Sequence, residues 1–360
     1  MTTVSRVAAA CAAAPSPTSA SAGILQAARL LLPDLERGRR IDAGVLRFAM
    51  ETAFGASDAA GAWDWKQAYD ACEAAAVLFL RKYGRALFRK ADSPASRLAP
   101  LTKIAGLLPT HTRRSEESQA LQQFSTPVTL GLAACTAAAI TSDDCVLEPS
   151  AGTGLLAILA EVAGGALALN ELADTRAALL DHLFPGVTVS RFDAAQIDDH
   201  LDVAITPSVV LMNPPFSAMA NVDRHMADTT YRHVASALAR LIDGGRLVTI
   251  TGANFGPEAL AWRDAFVRLQ ERGTVVFTAA IDGAVYAKHG TTIETRLTVI
   301  DRVAAPDPTQ FPPSAGVAPN RRGQRRTRRV VFTREAWAGL IFVASGKECR
   351  SRYTSRLNEL

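Results

Sequence analysis

Cysteine is sparse and unpatterned in this chain. Cys11, Cys72, Cys135, Cys145 and Cys349 are scattered, with no CxxC pair among them. An odd set without spacing argues against a disulfide framework and a zinc site, and fits a reducing compartment. The six histidines offer no substitute. His225 and His233 have no cysteine or acidic cluster nearby in the sequence, so no metal is expected. No apolar run approaches the length of a membrane span. The alanine- and serine-rich start, residues 1–23, carries one arginine ahead of a weakly apolar stretch. It is a poor signal segment and predicts a disordered lead-in to a cytoplasmic protein. Internal repeats are also missing.

A uniform basic excess is absent too. The formal net charge is +4, but residues 321–360 alone hold 11 Lys/Arg against 3 Asp/Glu. That leaves 28 basic and 32 acidic residues in the first 320. The body therefore lacks the field of a strong nonspecific nucleic-acid binder, although local basic strips are compatible with it. With 48% hydrophobic residues over 360 positions, the chain can bury a full core.

What the sequence does contain is alternation. Residues 24–110 predict helices, with apolar residues at three- and four-residue spacing over 24–37 and 63–89. A polar bridge covers 109–117. In Phe124-Ser125-Thr126-Pro127, Thr126 or Ser125 suits a helix cap and Pro127 the first helical position, opening a helix over 128–140. Short apolar runs then predict strands at 145–148, 166–170, 187–191, 208–212, 246–251, 274–281 and 293–301. Helices between the earlier strands imply a doubly wound α/β sheet. The linker 282–292 is too short for a crossover helix, so the last two strands pair antiparallel. Residues 305–320 are Pro-rich and 321–329 form a basic run. The expected organisation is a lead-in over 1–23, a helical region over 24–117, the sheet domain over 118–304 and a Pro/Arg-rich tail over 305–360.

Two segments carry chemistry, and each leaves the end of a predicted strand, where open parallel sheets bind ligands. In Glu148-Pro149-Ser150-Ala151-Gly152-Thr153-Gly154, Gly152 and Gly154 permit a tight turn and close backbone approach to a ligand beside a helix N-terminus. Glu171 ends the second strand, where an acid accepts both ribose hydroxyls. Asp193 follows the third strand, where a carboxylate or its neighbouring amides meet an adenine edge. The loop lacks the third glycine of the dinucleotide fingerprint, which disfavours a nicotinamide cofactor and favours S-adenosylmethionine. The second segment is Asn213-Pro214-Pro215-Phe216. An exocyclic purine amine is a poor nucleophile, because its lone pair is delocalised into the ring. The Asn213 side-chain oxygen and the Pro214 carbonyl, one on each N–H, would aim that lone pair and stabilise the charge that develops. Phe216 offers a ring on which an extruded base can stack. Further along, Lys288 and His289 are candidates for a phosphate contact and Tyr286 for packing on the base. Arg224, His225 and Arg232 are candidates for a nucleic-acid path.

Seven strands ending in an antiparallel hairpin resemble the class I methyltransferases. The order Phe-x-Thr-Pro, glycine loop, Asn-Pro-Pro-Phe is similar to the gamma-type arrangement of adenine-N6 DNA methyltransferases. This resemblance implies a Rossmann-like seven-stranded sheet and S-adenosylmethionine as cofactor. Phe124, Thr126 and Pro127 would close over its methionine end, and Glu148, Pro149, Ala151, Gly152, Gly154, Glu171 and Asp193 would hold it. It implies that Asn213, Pro214, Pro215 and Phe216 are catalytic and that DNA is the substrate. The same tetrad occurs in families methylating guanine N2 in ribosomal RNA and glutamine in release factors, so RNA and protein acceptors stay open. The segment 286–302 is similar to the methylase portion of bacterial strawberry-notch-like proteins, which carry a helicase-type ATPase on the same chain. No Walker-type Gly-Lys-Ser/Thr loop is present here, so the resemblance implies a helicase-type partner or a missing domain. An inactive nucleic-acid-binding remnant of such a protein is a further reading, and a Rossmann oxidoreductase is the remaining one.

Overall fold

The computed structural model describes residues 17–112, 125–215 and 224–316. Strands buried on both faces of a parallel sheet need nearly continuous apolar runs. Such runs form β1 (Cys145–Glu148), β2 (Ala166–Asn170), β4 (Val209–Met212) and β5 (Arg246–Gly252), with a two-residue β3 (Val189–Ser190) at the edge. β6 (Thr274–Ile281) and β7 (Thr295–Asp301) complete the predicted seven. The strand order is β3-β2-β1-β4-β5-β7-β6-β8. β7 runs antiparallel to both β5 and β6, while the other pairings are parallel. This is the mixed α/β sheet that the class I methyltransferase resemblance implies, with one reversed strand and an added edge strand.

Successive residues of each strand point to opposite faces, and the core divides accordingly. Val146, Val209, Leu211 and Val248 join one apolar cluster, whereas Leu147, Val210, Met212 and Leu247 join the other. The first face is covered by α1 (Pro17–Glu36), α2 (Ala43–Phe54), α3 (Trp65–Arg89), α4 (Leu98–Leu107), α5 (Val128–Ala138), α6 (Leu155–Ala163) and α7 (Asp174–Leu183). The second is covered by α8 (Ile197–His200), α9 (Arg224–Arg240) and α10 (Arg263–Gln270).

The expected segment boundaries are corrected at both ends. α1 begins at Pro17, inside the segment read as a disordered lead-in, because Ala20 and Ser21 are buried in its packing. Residues 24–112 are no separate helical unit: α3 is pinned to α6 by Arg81 and Glu161, and to α7 by a buried Asp70–Arg176 pair at 2.8 Å. Both belong to the cluster that covers the sheet. The boundary at 304 also falls too early. Phe311 packs against Phe266, and the buried Gln270 amide donates to the carbonyls of Pro308 and Gln310. Ala315–Gly316 then forms β8, an eighth strand parallel to β6. The basic run 321–329 lies outside the described residues.

At the N-terminal edge of the sheet, Arg246 opens β5 directly opposite Asp301, the last residue of β7. Its guanidinium donates to both Asp301 oxygens at 2.7 and 3.1 Å and to the Ala137 carbonyl at 2.9 Å. Breaking such a buried pair by removing one partner typically costs about 3–5 kcal/mol, because the other charge is left uncompensated. Asp301→Leu should lose an amount of this order in urea unfolding, and adding Arg246→Met should recover most of it. A single variant as stable as the parent would contradict this reading.

Candidate active site

β1 and β4 are neighbours, with Val146 opposite Val209 and Leu147 opposite Val210. The two predicted segments therefore leave the sheet side by side. From β1 the chain turns through Pro149 to Gly154 into α6. Gly152 and Gly154 have φ of +56° and +84°, a region that favours glycine. A Cβ on Gly154 would stand 2.5 Å from the Phe184 ring, whereas nothing lies within 4 Å of one on Gly152. The second glycine permits packing, and the first leaves open space at the sheet edge.

Three side chains, Glu171, Glu73 and Asn170, hold this loop. Glu171 accepts from the Gly152 N–H at 2.8 Å and from the Ala173 N–H at 2.9 Å. The Thr153 hydroxyl donates to Glu73 Oε2 on α3 at 2.7 Å. The Ala151 N–H donates to the Asn170 carbonyl at 2.9 Å. Asn170 is fully buried at the end of β2. Its Nδ2 donates to the Pro149 and Phe192 carbonyls, and its Oδ1 accepts from the Phe192 N–H and the Ser190 hydroxyl. One amide thus fastens the exits of β1, β2 and β3. Asp193 is exposed at the exit of β3 and accepts from the Ala195 N–H at 2.9 Å, capping a 3-10 turn.

From β4 the chain passes into Asn213, half-buried, then Pro214, buried, and Pro215, half-buried. Asn213 Nδ2 donates to Thr126 Oγ1 at 2.9 Å. Thr126 is therefore not a helix cap. Pro127 occupies the cap position of α5 without any side-chain capping bond, and the buried Thr126 hydroxyl is turned toward the Asn-Pro-Pro segment instead. Phe124 and Phe216 lie outside the described residues, as do the side chains of Arg224 and His225; Arg232 is exposed on α9. The loop after β6 differs from expectation. It forms a 3-10 turn over Gly283–His289 in which Tyr286 is wholly buried. Lys288 Nζ donates to the Leu108 carbonyl at 2.8 Å, and His289 faces Glu73. In the structure these side chains turn toward residues 106–111 and Glu73, because the turn folds back under that segment.

Several residues of this edge escaped sequence reasoning. Asn170 and Glu73 carry no motif; the only signal is a polar residue at a position whose neighbours are core. Leu172 and Phe192, 64% and 36% exposed, stand next to Glu171 and Asp193. An apolar side chain left in water beside each acid is the surface a flat ring would cover. Glu148 is buried, and burial, with Glu171 nearby, pushes its carboxyl well above the usual carboxylate range. Its Oε2 has no hydrogen-bond partner among the described residues.

No protein-family model matches the chain, and no curated protein matches it. Solved structures do. The type I restriction-modification methyltransferase subunit from Streptococcus thermophilus is 12% identical with a TM-score of 0.44, over 91% of this chain and 93% of that one. A protein assigned to the class I S-adenosylmethionine-dependent methyltransferases, from Listeria monocytogenes, is 10% identical with a TM-score of 0.45, over 83% and 92%. TrmN from Thermus thermophilus is 17% identical with a TM-score of 0.39, and the match spans 52% of either chain, about half of its length. The likeness is one of fold.

Two outcomes follow from the geometry. Asn170→Ala strands four hydrogen-bonding groups and should cost about 2–4 kcal/mol of unfolding free energy; an unchanged urea midpoint would exclude the fastening role. Glu148 has a raised folded-state pKa. The stability it contributes is present below its unfolded pKa of about 4.3 and is lost as pH rises through the folded value. Glu148→Gln should therefore gain thermal stability over the parent as pH is raised from 4 to 8. A difference that does not change with pH would refute the assignment.

Proposed function

We propose that this chain is an S-adenosylmethionine-dependent amino-methyltransferase whose acceptor is N6 of adenine in DNA. The observation that carries the proposal is the Asn213–Thr126 hydrogen bond. It joins the Phe-x-Thr-Pro segment to the Asn-Pro-Pro segment beside the glycine loop, and that combination is what distinguishes a cofactor-plus-amine site from an ordinary nucleotide fold.

The residues present fit the cofactor. Gly152 leaves open space, Glu171 and Asp193 stand at neighbouring strand exits, and Leu172 and Phe192 offer apolar surface for a ring. The orphaned Glu148 oxygen is suited to a cationic ligand. Glu171 would accept the ribose hydroxyls, Asp193 or its neighbouring amides the adenine edge, and Thr126 would lie near the methionine end. When bound, the cofactor supplies an electrophilic sulfonium methyl.

The chain's own contribution is orientation and electrostatics. With Nδ2 committed to Thr126, the Asn213 amide is held with its oxygen as the acceptor for an amine N–H. The Pro214 carbonyl takes the other N–H. Together they direct the nitrogen lone pair and stabilise the positive charge that develops on it. Neither proline has an N–H to compete. The tetrad alone also suits guanine N2 or a glutamine amide; the Phe124-Ser125-Thr126-Pro127 element favours adenine. A helicase-type partner and phosphate contacts from the basic residues beyond 320 complete the proposal.

The test uses purified protein, tritiated S-adenosylmethionine and unmethylated DNA, with nucleosides identified by mass. The expected product is N6-methyladenine, falling at least about 100-fold in Asn213→Ala. Thr126→Val should lower kcat by about tenfold, since it misorients the Asn213 amide, with a smaller loss of cofactor affinity because the glycine loop is left intact. Label only in RNA guanine or protein glutamine would replace the acceptor. Cofactor binding without label in any of these would overturn the reading.

A further inference from the structure

Outside the methyl-transfer residues, three side chains from distant parts of the chain converge: Glu73 on α3, His111 beyond α4 and His289 in the turn after β6. One ligand-type atom from each lies within 4.8 Å of the other two. His111 Nε2 is 3.9 Å and His289 Nδ1 3.7 Å from the same Glu73 oxygen, Oε1. The Glu73 side chain is 2% exposed, and neither its Oε1 nor His289 Nδ1 has a hydrogen-bond partner among the described residues. Two buried polar atoms that face each other beyond hydrogen-bonding distance are costly unless something lies between them.

The surroundings are built to hold this arrangement. The other carboxylate oxygen, Oε2, accepts from the Thr153 hydroxyl, which turns Oε1 toward the imidazoles. The His111 ring stacks on Tyr69 at 4.1 Å between centroids, and Tyr69 Oη accepts from the Thr112 N–H at 3.0 Å. The His111 N–H donates to the Lys288 carbonyl at 2.8 Å, locking the two histidine-bearing segments together. Such second contacts are what fix ligands in metal sites.

We propose that Glu73, His111 and His289 form a site for a divalent transition metal, zinc being the first candidate, with an open fourth position. Two imidazoles and a carboxylate are a ligand set used for zinc. Donors in a tetrahedral zinc site stand about 3.4 Å apart; the two Glu73–histidine separations, 3.9 and 3.7 Å, lie within about half an ångström of that, and the remaining pair, within 4.8 Å, closes by up to about 1.4 Å on binding. The His111 and His289 side chains keep 18% and 13% exposure, which gives the ion a way in. The expectation of no metal rested on His225 and His233; the ligands are histidines that only the fold brings together. A metal here would tie α3, residues 109–112 and the turn after β6 into one unit, and through Thr153 would brace the glycine loop. The site stands whatever the acceptor of the methyl group.

Full-length protein, with any affinity tag removed and stripped by chelator, is titrated with Co²⁺ and then Zn²⁺. The expected result is one equivalent of cobalt per chain with the visible bands of a four-coordinate ion, displaced by zinc. Glu73→Gln, which keeps an acceptor for Thr153, and His111→Asn, the more exposed ligand, should each weaken zinc at least about 100-fold. His182→Asn, exposed on α7, should leave binding unchanged. Circular dichroism of each variant separates ligand loss from misfolding. Parent protein that takes up neither ion would overturn the site, as would cobalt bands that persist in folded Glu73→Gln and His111→Asn.

Discussion

Two carboxylates grip the glycine loop from different layers of the molecule. Glu171 at the end of β2 accepts from the Gly152 N–H, and Glu73 on α3 accepts from the Thr153 hydroxyl. Between them the left-handed backbone at Gly152 and Gly154 is held in one shape before any ligand arrives. A loop ordered in advance loses less entropy on binding than one that must be arranged by the ligand. Both carboxylates are buried, and Glu148 beside them is buried as well. Like charges crowded into low dielectric are tolerable only where protonation, a donor or a cation compensates them. That requirement governs how this edge of the sheet is built.

The same constraint explains the helical layer at the start of the chain. α3 delivers Asp70, Glu73 and Arg81 to one face of the α/β sheet, each with a partner on it: Arg176, Thr153 and Glu161. Arg81 also donates to the Leu183 carbonyl and stacks over the Phe184 ring at 4.6 Å, the ring against which Gly154 packs. The N-terminal helices thus act on the loop through two shells of contact. On the other side of the loop, the Asn213–Thr126 bond performs a parallel task, fixing the orientation of an amide that would otherwise rotate.

Much of the fold is legible in the sequence because sheet strands advertise themselves. Val209 to Met212 is buried on both faces and reads as an apolar run, and the short 282–292 linker dictates the reversed strand. β3 shrinks to two residues because an edge strand pairs on one side only, through Leu169–Val189 and Asn170–Ser190. Phe311 is hidden by the prolines around it, and its docking on Phe266 makes a predicted tail part of the core. Motif spacing singles out Gly152, Glu171 and Asn213, since each sits at the exit of a strand. Asn170, Glu73, His111 and His289 act through contacts between residues far apart in the chain, which no local pattern encodes. The turn after β6 looks like a polar surface loop, yet Tyr286 within it is wholly buried.

The central claim is that the β1–β2–β4 edge is an S-adenosylmethionine site, and calorimetric titration of that cofactor tests it most directly. The account predicts saturable binding to one site per chain, weakened at least about tenfold in Glu171→Ala, with no heat on addition of a nicotinamide dinucleotide. Absence of S-adenosylmethionine binding to folded parent protein, or binding indifferent to Glu171, would contradict it.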